Sequence, residues 1–178
     1  MKKAGIIGGS GFIGSYITKA FLNNGFEVKV SATDITKEDK YQHLMELDQS
    51  DHLYISELNV EDKSVLREFV NFLEAVNDTP SIEKVVFIAS VAAWNTNFPM
   101  PASGKTPNDT FSENDTPFMS AEGHPYAQAK FIANQTVETF IKDHPNLDFE
   151  ITSVSPVGVM GKSLSNRTDS TSSGIQFL

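Results

Sequence analysis

Residues 8–14 read GGSGFIG, and they follow a short apolar run, Ala4–Ile7, and precede a helical pattern. Three of the glycines, Gly8, Gly11 and Gly14, are spaced three positions apart. Glycine adopts a positive φ angle at little cost, and its missing side chain lets a ligand approach the backbone. A glycine-rich turn between a strand and a helix therefore predicts that the helix N-terminus binds the pyrophosphate of a nucleotide cofactor.

The rest of the chain alternates predicted strands with predicted helices. Strands are expected at Ala4–Ile7, Glu27–Ser31, Leu53–Leu58, Lys84–Ala89 and Phe149–Val154. Helices are expected at Phe12–Asn24, Lys37–Leu47, a segment from Asp62 or Ser64 to Val76, and Tyr126–Lys142. This alternation is typical of an α/β fold, a doubly wound parallel sheet of about five to six strands with helices on both faces. Ligands of such sheets bind at the carboxyl ends of the strands.

Three local signals support particular elements. Gly25 is a favourable residue just after the first helix, and Thr36 begins a T-x-x-D pattern typical of a helix N-terminus. The run Lys84–Ala89 (KVVFIA) is apolar after its first residue and rich in β-branched side chains, which predicts a buried parallel strand. Residues 94–125 contain five prolines and many small polar residues, so a long loop is expected there.

Composition argues against several classes of function. The 178 residues suffice for one domain, which we assign to residues 1–178. The chain has no cysteine, and its four histidines lack the spacing of metal ligands, so no metal site is expected. The net charge of −9 argues against a nucleic acid or an anionic membrane as partner. No leader sequence is visible, and the longest apolar stretch, Val85–Trp94, is too short for a membrane helix, so a cytoplasmic protein is expected.

Tyr126 and Lys130 form a Y-x-x-x-K pattern within PYAQAK. Residues four positions apart share a helix face, and an ammonium beside a phenol lowers the pKa of the tyrosine from about 10 toward neutrality. Such a tyrosine exchanges a proton with a carbonyl or alcohol oxygen. Taken alone, this pattern more often marks a surface pair on an amphipathic helix. Ser90 favours a catalytic pair over a surface pair, because it directly follows the predicted buried strand, where its hydroxyl would polarise a substrate carbonyl.

The order of these segments resembles that of the extended short-chain dehydrogenases/reductases of the NAD-dependent epimerase/dehydratase superfamily, and especially the branch of dihydroflavonol and cinnamoyl-CoA reductases. The segments that carry the resemblance are GGSGFIG (8–14), KVVFIASVAAW (84–94), FSEND (111–115), PYAQAK (125–130) and ITSVSPVGVMG (151–161). The resemblance implies a Rossmann-like fold and hydride transfer from NAD(P)H to a carbonyl carbon. The substrate would be a small aldehyde, a ketone or a flavanonol-type compound.

The resemblance also assigns site residues. The catalytic residues would be Ser90, Tyr126 and Lys130, with Tyr126 protonating the carbonyl oxygen and Ser90 orienting it. The residues that would contact the cofactor are Gly8, Gly11, Phe12, Ile13, Gly14, Thr33, Asp34, Lys37, Asn59, Lys130, Pro156 and Val157. Both NADP and NAD fit this set, because Asp34 suits the free ribose hydroxyls of NAD whereas Lys37 suits the 2′-phosphate of NADP. We lean to NADP.

Two departures from the family pattern bear on function. Relatives have another strand and helix between the third strand and the serine, whereas only 31 positions separate Asn59 from Ser90 here. One strand–helix unit of the family is therefore predicted to be missing, including the strand beside the first. Relatives also continue into a substrate-binding region, which is expected to be largely absent from this chain.

Two other functions stay open at this point. A dinucleotide-binding module without catalytic activity fits the shortened sheet. A nucleotide-sugar epimerase or dehydratase shares the serine and the Y-x-x-x-K pattern, although SVAAW and SPVGVMG are more similar to the reductase branch. The expected partner is a small-molecule carbonyl substrate, with no nucleic acid and no membrane, and both a monomer and a homodimer stay open.

Overall fold

The computed structural model describes residues 1–57, 72–110, 112 and 114–165. These residues divide into two compact units, one formed by residues 1–57 and 159–165 and the other lying within residues 72–158. Asn59 and most of the predicted third helix lie outside the described residues. The assignment of the whole chain to a single domain stays a prediction.

The first unit is a three-stranded parallel sheet with helices between its strands. Its elements are β1 (Lys3–Ile6), α1 (Phe12–Asn23), β2 (Glu27–Ala32), α2 (Gln42–Met45) and β3 (Leu53–Glu57). The strand order is β1-β2-β3, and β2 is hydrogen-bonded on both sides. Val28, Val30 and Ala32 alternate along β2 and are buried. They form the core of this unit together with Leu22 of α1 and Leu44 of α2.

The first helix ends where the sequence predicts. Gly25 has a φ angle of 75° and donates its N–H to the carbonyl of Leu22 at 2.9 Å. Phe26 donates its N–H to the carbonyl of Phe21 at 3.1 Å, and the rings of these two residues lie 4.9 Å apart between centroids. This pair of bonds, with its apolar contact, commonly closes a helix at a left-handed glycine. The prediction of Gly25 as the residue just past the helix is confirmed.

The second predicted helix, Lys37–Leu47, is wrong for most of its length. The structure has a 3₁₀ turn at Glu38–Lys40 and only the short α-helix α2 after it. Thr36 does not cap a helix: Lys37 is the N-cap of the 3₁₀ turn, which has no side-chain cap hydrogen bond, and the N–H and hydroxyl of Thr36 donate to Oδ1 of Asp34 at 3.0 and 2.6 Å. Tyr41, with φ −133° and ψ 0°, then interrupts the helical path between the two short elements.

The second unit is built around a two-stranded parallel sheet. Its elements are α3 (residues 72–77), β4 (Lys84–Ile88), a 3₁₀ turn (Val91–Ala93), α4 (Pro125–Asp143) and β5 (Glu150–Val154). The strands pair from Lys84 opposite Glu150 to Ile88 opposite Val154. The buried core of this unit consists of Leu73, Val76, Val137, Phe140 and Phe149.

The prediction that Lys84–Ala89 is a buried strand is only half correct. Val85 and Phe87 pack against the core of the second unit, whereas Val86 is 52% exposed. Successive side chains of a strand point to opposite faces, and the core of this unit lies on only one of them. A continuous apolar run therefore does not guarantee that both faces are covered.

All five described strands pair in parallel, which confirms the predicted α/β class. Hydrogen bonding groups them into sheets of three and two strands. Among the described residues β1 is an edge strand, as expected if the strand that lies beside the first strand in relatives is missing. None of the described helices is long and apolar enough to cross a membrane.

Leu22 tests the assigned core of the first unit, because it is fully buried on α1 while its neighbour Asn23 is exposed. We expect Leu22→Ala to lower the free energy of unfolding by about 2–5 kcal/mol, since it removes buried methyl groups and leaves a cavity. The control Asn23→Ala should change this free energy by about 0.5 kcal/mol or less. Urea unfolding followed by far-UV circular dichroism measures both, and equal effects would contradict the core.

Candidate active site

The turn after β1 is so tight that it excludes side chains. Gly8 has a φ angle of 74°, and its carbonyl accepts a hydrogen bond from the N–H of Gly11 at 3.0 Å. A Cβ atom on Gly14 would overlap the oxygen of Gly8 and would lie 2.8 Å from Cα of Gly9. Both obstacles are backbone atoms, so a side chain at position 14 would force the whole turn to move.

The first turn of α1 is suited to an anion. Gly11 is the N-cap, and as a glycine it has no side chain that could bond to the N–H groups of that turn. The turn carries no acidic residue. Phe12, Ile13 and Gly14 are partly exposed. The first N–H groups of a helix have no partner within the helix, and they lie at the positive end of its dipole. Bare backbone and available amides therefore fit a phosphate or pyrophosphate group.

The end of β2 is tied to the glycine turn. The hydroxyl of Ser31 accepts a hydrogen bond from the N–H of Gly8 at 3.1 Å. Thr33, which follows β2 and is partly buried, therefore lies on the segment that leaves the sheet at the same end as the turn. Asn59, the remaining residue predicted to contact the adenosine side of the cofactor, lies outside the described residues.

Asp34 and Lys37 form a local charged pair. Oδ2 of Asp34 lies 3.2 Å from Nζ of Lys37. Hydrogen bonds from Thr36, followed by the interaction with Lys37, lower the pKa of Asp34. The segment therefore presents a carboxylate suited to ribose hydroxyls beside an ammonium suited to a phosphate, and the geometry leaves both cofactor preferences open.

Ser90 begins the 3₁₀ turn that follows β4. Its Oγ accepts a hydrogen bond from the N–H of Ala92 at 3.2 Å. A hydroxyl that accepts this bond still has its own proton to donate. The turn Val91–Ala93 packs against α4, the helix that carries Tyr126 and Lys130.

Lys130 joins α4 to the end of β4. Its Nζ donates to the carbonyl of Ile88 at 3.1 Å, two residues before Ser90. The same Nζ lies 5.9 Å from the centre of the Tyr126 ring. Burial lowers the pKa of Lys130, whereas the Tyr126 side chain is 57% exposed. The second unit therefore brings the serine, the tyrosine and the lysine to one end of β4.

The segment after β5 runs along this end of β4. The N–H of Val91 donates to the carbonyl of Pro156 at 3.1 Å, and Nε1 of Trp94 donates to Oγ of Ser155 at 3.2 Å. Pro156 therefore lies beside the turn that begins at Ser90. Val157, the next residue, is 64% exposed.

The sequence-predicted residues fall into one group in each unit. The first unit holds Gly8, Gly11, Phe12, Ile13, Gly14, Thr33, Asp34 and Lys37. The second unit holds Ser90, Tyr126, Lys130, Pro156 and Val157. In each unit these residues lie at or beyond the carboxyl ends of parallel strands, where ligands of this fold class bind.

Asn134 is a feature of α4 that the sequence interpretation missed. It lies four positions after Lys130 and is fully buried, and neither its Nδ2 nor its Oδ1 has a hydrogen-bond partner among the described residues. Buried side-chain amides nearly always have hydrogen-bond partners, so this polar side chain is unusual on a buried helix face. A sequence signal existed, since Asn134 shares the buried face of α4 with Ala127 and Val137.

The long loop predicted at residues 94–125 is present up to the start of α4 and has a defined shape. Oγ1 of Thr96 accepts a hydrogen bond from the N–H of Ser120 at 2.7 Å. Lys105 forms an ion pair with Asp115 at 2.6 Å, and this contact is the main cause of the lowered pKa of Asp115. In the described part of the chain, no group of three or more metal-ligating side chains is placed to hold an ion.

Gly14→Ala tests the close approach in the glycine turn. We expect this substitution to lower the free energy of unfolding by about 1–3 kcal/mol, because the new methyl group overlaps backbone. Gly5→Ala is the matched control, since a Cβ at Gly5 meets nothing within 4 Å. Thermal unfolding of both variants measures the difference, and equal stability of the two would contradict the geometry of the turn.

The burial of Lys130 predicts a dependence of stability on pH. The pKa of Lys130 in the folded chain is lower than the usual lysine value of 10.5, so the unfolded chain keeps this proton to higher pH. The unfavourable effect on folding is complete below the folded pKa and is relieved as the pH rises toward 10.5.

We therefore expect the free energy of unfolding of the wild type, measured relative to Lys130→Met, to rise from neutral pH toward pH 10.5. Subtracting the Lys130→Met values cancels the titration of groups that do not interact with Lys130. Chemical unfolding at a series of pH values gives the difference. A difference that stays constant or falls over this range would contradict the burial of the ammonium.

Solved structures share the fold of this chain. Gre2 of Candida albicans in complex with NADPH superposes with a TM-score of 0.72 at 21% identity, over 92% of this chain and 60% of that one. Vestitone reductase of alfalfa (Medicago sativa L.) superposes with a TM-score of 0.70 at 16% identity, over 94% of this chain and 60% of that one. At these identities the likeness establishes a shared fold.

Curated relatives are longer than this chain. Anthocyanidin reductase of Arabidopsis thaliana is 24% identical over 201 residues, covering 92% of this chain and 57% of the relative. Cinnamoyl-CoA reductase CAD2 of Medicago truncatula is 22% identical over 193 residues, covering 88% of this chain and 57% of the relative. The chain thus spans less than three fifths of their length. The alignment with anthocyanidin reductase is 201 positions long, which exceeds the 92% of 178 residues that it covers in this chain. The relative therefore has residues without a counterpart here.

A family model also matches the sequence, and it matches from the first strand onward. The model describes the NAD dependent epimerase/dehydratase family and covers residues 4–175. This range includes both the glycine turn and the end of β4 with its serine, tyrosine and lysine. The chain belongs to the NAD dependent epimerase/dehydratase family.

Proposed function

We propose that this protein is an NAD(P)-dependent oxidoreductase that reduces the carbonyl group of a small aldehyde, ketone or flavanonol-type compound. The observation that carries the proposal is the position of Lys130. Its Nζ is hydrogen-bonded to Ile88 at the end of β4, two residues before Ser90, and lies 5.9 Å from the ring centre of Tyr126. A surface pair on an amphipathic helix would have no such anchor in the sheet.

Ser90 is proposed to orient the carbonyl oxygen of the substrate. Its hydroxyl accepts a hydrogen bond from Ala92, and that bond fixes the side chain while leaving its proton to donate. A carbonyl oxygen that accepts this proton is polarised and held in one direction. The role requires no change in the protonation of Ser90.

Tyr126 is proposed to donate a proton to the same oxygen. The ammonium of Lys130 favours the negative charge that forms on the phenol oxygen as the proton leaves. Because Lys130 is anchored to Ile88, its charge is held near the ring rather than moving in solvent. The exposure of Tyr126 leaves the ring accessible to a substrate.

The cofactor is proposed to be NADP or NAD, with a lean to NADP. The glycine turn and the first-turn amides of α1 would hold the pyrophosphate, and Asp34 and Lys37 would face the adenosine ribose. Asn59 would contact adenine, while Pro156 and Val157 would lie against the nicotinamide. When bound, the reduced nicotinamide supplies the hydride that adds to the carbonyl carbon. Gre2, which shares the fold, was crystallised with NADPH.

The substrate is proposed to be a small molecule with an apolar body. The long loop before α4 carries three exposed apolar side chains, Phe98, Met100 and Met119, which are 49%, 62% and 51% exposed. Such side chains offer contact area for an aromatic or aliphatic carbonyl compound. The named relatives are reductases of anthocyanidins and of cinnamoyl-CoA.

A second candidate function is that of a dinucleotide-binding module without catalysis. It is favoured by the alignment with anthocyanidin reductase, in which part of the relative has no counterpart within the matched range of this chain. In this case the glycine turn would still bind a dinucleotide. The two candidates therefore differ in turnover and agree in binding.

Tyr126→Phe separates them. We expect this variant to lower kcat for aldehyde or ketone reduction by roughly 10²–10⁴-fold, because it removes the proton donor. Its Kd for NADPH should stay within about twofold of the wild type, since the lost hydroxyl is not needed to hold the pyrophosphate. Tyr54→Phe is the matched control, because Tyr54 is similarly exposed, at 51%, but lies on β3. Loss of NADPH absorbance measures turnover, and calorimetric titration measures binding.

Each outcome selects one reading. Turnover by the wild type and by Tyr54→Phe, with loss only in Tyr126→Phe, supports the reductase. NADPH or NADH binding without turnover on a panel of aldehydes, ketones and dihydroflavonols supports the binding module. Absence of binding to either dinucleotide would overturn both.

A further inference from the structure

A chain of hydrogen bonds runs from α2 into the glycine turn. Nε2 of His43 lies 2.8 Å from Oγ of Ser15, and that Oγ lies 2.7 Å from the carbonyl oxygen of Gly11. Ser15 is 2% exposed, so these contacts are shielded from water. The N–H of Ser15 donates to the same Gly11 oxygen at 2.8 Å.

The direction of this chain follows from donor and acceptor chemistry. A carbonyl oxygen only accepts, so the hydroxyl proton of Ser15 is given to Gly11. Oγ of Ser15 then has no proton left for the histidine, and Nε2 of His43 must be the donor. The order is therefore His43 N–H to Ser15 O–H to Gly11 C=O.

The end of this chain is the peptide group that precedes the first residue of α1. The carbonyl of Gly11 and the N–H of Phe12 belong to one peptide group. A carbonyl that accepts hydrogen bonds withdraws electron density from its amide nitrogen, which makes the N–H a stronger donor. Phe12 is the first residue of α1, so its N–H is one of those left without an intrahelical partner.

We propose that His43 is a positioning residue for the pyrophosphate of the cofactor, acting through Ser15 on the Gly11–Phe12 peptide group. The inference rests on the proposed binding of a dinucleotide at the glycine turn. His43 fixes the orientation of the peptide and strengthens the amide that faces the phosphate. It touches neither the substrate nor the cofactor in this role.

His43→Leu removes the donor, whereas His43→Gln keeps an N–H where the histidine Nε2 lies. We expect His43→Leu to weaken NADPH binding about tenfold, since one buried hydrogen bond is lost from the chain. His43→Gln should bind NADPH within about threefold of the wild type, because its amide restores the bond. Adenosine 2′-monophosphate lacks the pyrophosphate, so its affinity should be the same in all three proteins. Isothermal titration calorimetry measures each Kd.

Ser15→Ala provides a second route if His43→Leu folds poorly. It removes the middle of the chain, and we expect the same loss in NADPH affinity of about tenfold. The double variant Ser15→Ala/His43→Leu should lose no more than either single variant, because all three interrupt one chain. Additive losses would show two independent effects and overturn the proposal.

The outcomes keep this inference separate from the proposed function. If the wild type binds neither NADPH nor NADH, the proposed function fails. If the wild type binds and His43→Leu and Ser15→Ala bind equally well, the inference fails while the proposed function stands. A loss in His43→Leu that His43→Gln does not restore, or an equal loss for adenosine 2′-monophosphate, would indicate a merely structural role and also overturn it.

Discussion

The close approach of Gly14 to the backbone of Gly8 determines where α1 begins. No side chain fits at position 14 without moving the turn, so the helix can start this near the strand only because that position is bare. Once α1 begins at Phe12, Gly11 becomes its N-cap and Ser15 is directed inward beneath it. The helix then carries Leu22 into the core of the first unit. This one backbone contact therefore fixes the shape of the glycine turn, the position of the buried Ser15 hydroxyl and the helix that carries Leu22 into the core.

Elements whose signals are local were predictable from sequence, and those that depend on distant or competing contacts were not. The end of α1 needs only Gly25 and the neighbouring Phe21 and Phe26, all within one turn. At the second predicted helix, Asp34 accepts the backbone N–H of Thr36, which in a capping box would pair with the acidic side chain three residues later. The burial of β4 was overestimated because exposure of Val86 depends on which faces are covered, which composition does not specify.

The candidate site shows the same division. The spacing of Tyr126 and Lys130 predicts that they share a helix face, and the structure has the ammonium near the ring. The anchor of Lys130 on Ile88 joins residues 42 positions apart, so only the order of segments typical of the family pointed to it. The sequence carries no signal for the role of His43, because the pattern by which histidines are recognised is the spacing of metal ligands. A histidine that donates one hydrogen bond to a serine 28 positions away leaves no such pattern.

The contacts that shape the glycine turn are separate from those that hold Ser90, Tyr126 and Lys130. Gly8 is hydrogen-bonded to Ser31 of β2 and to Gly11, and all three residues belong to the first unit. Lys130 donates a hydrogen bond to Ile88 of β4. Each group of residues therefore depends on described contacts within its own unit. A change at Gly14, Ser15 or His43 therefore acts on the contacts of the glycine turn. A change at Tyr126 acts on the group formed with Ser90 and Lys130. Under the proposed function, the first kind of substitution affects cofactor binding and the second affects turnover.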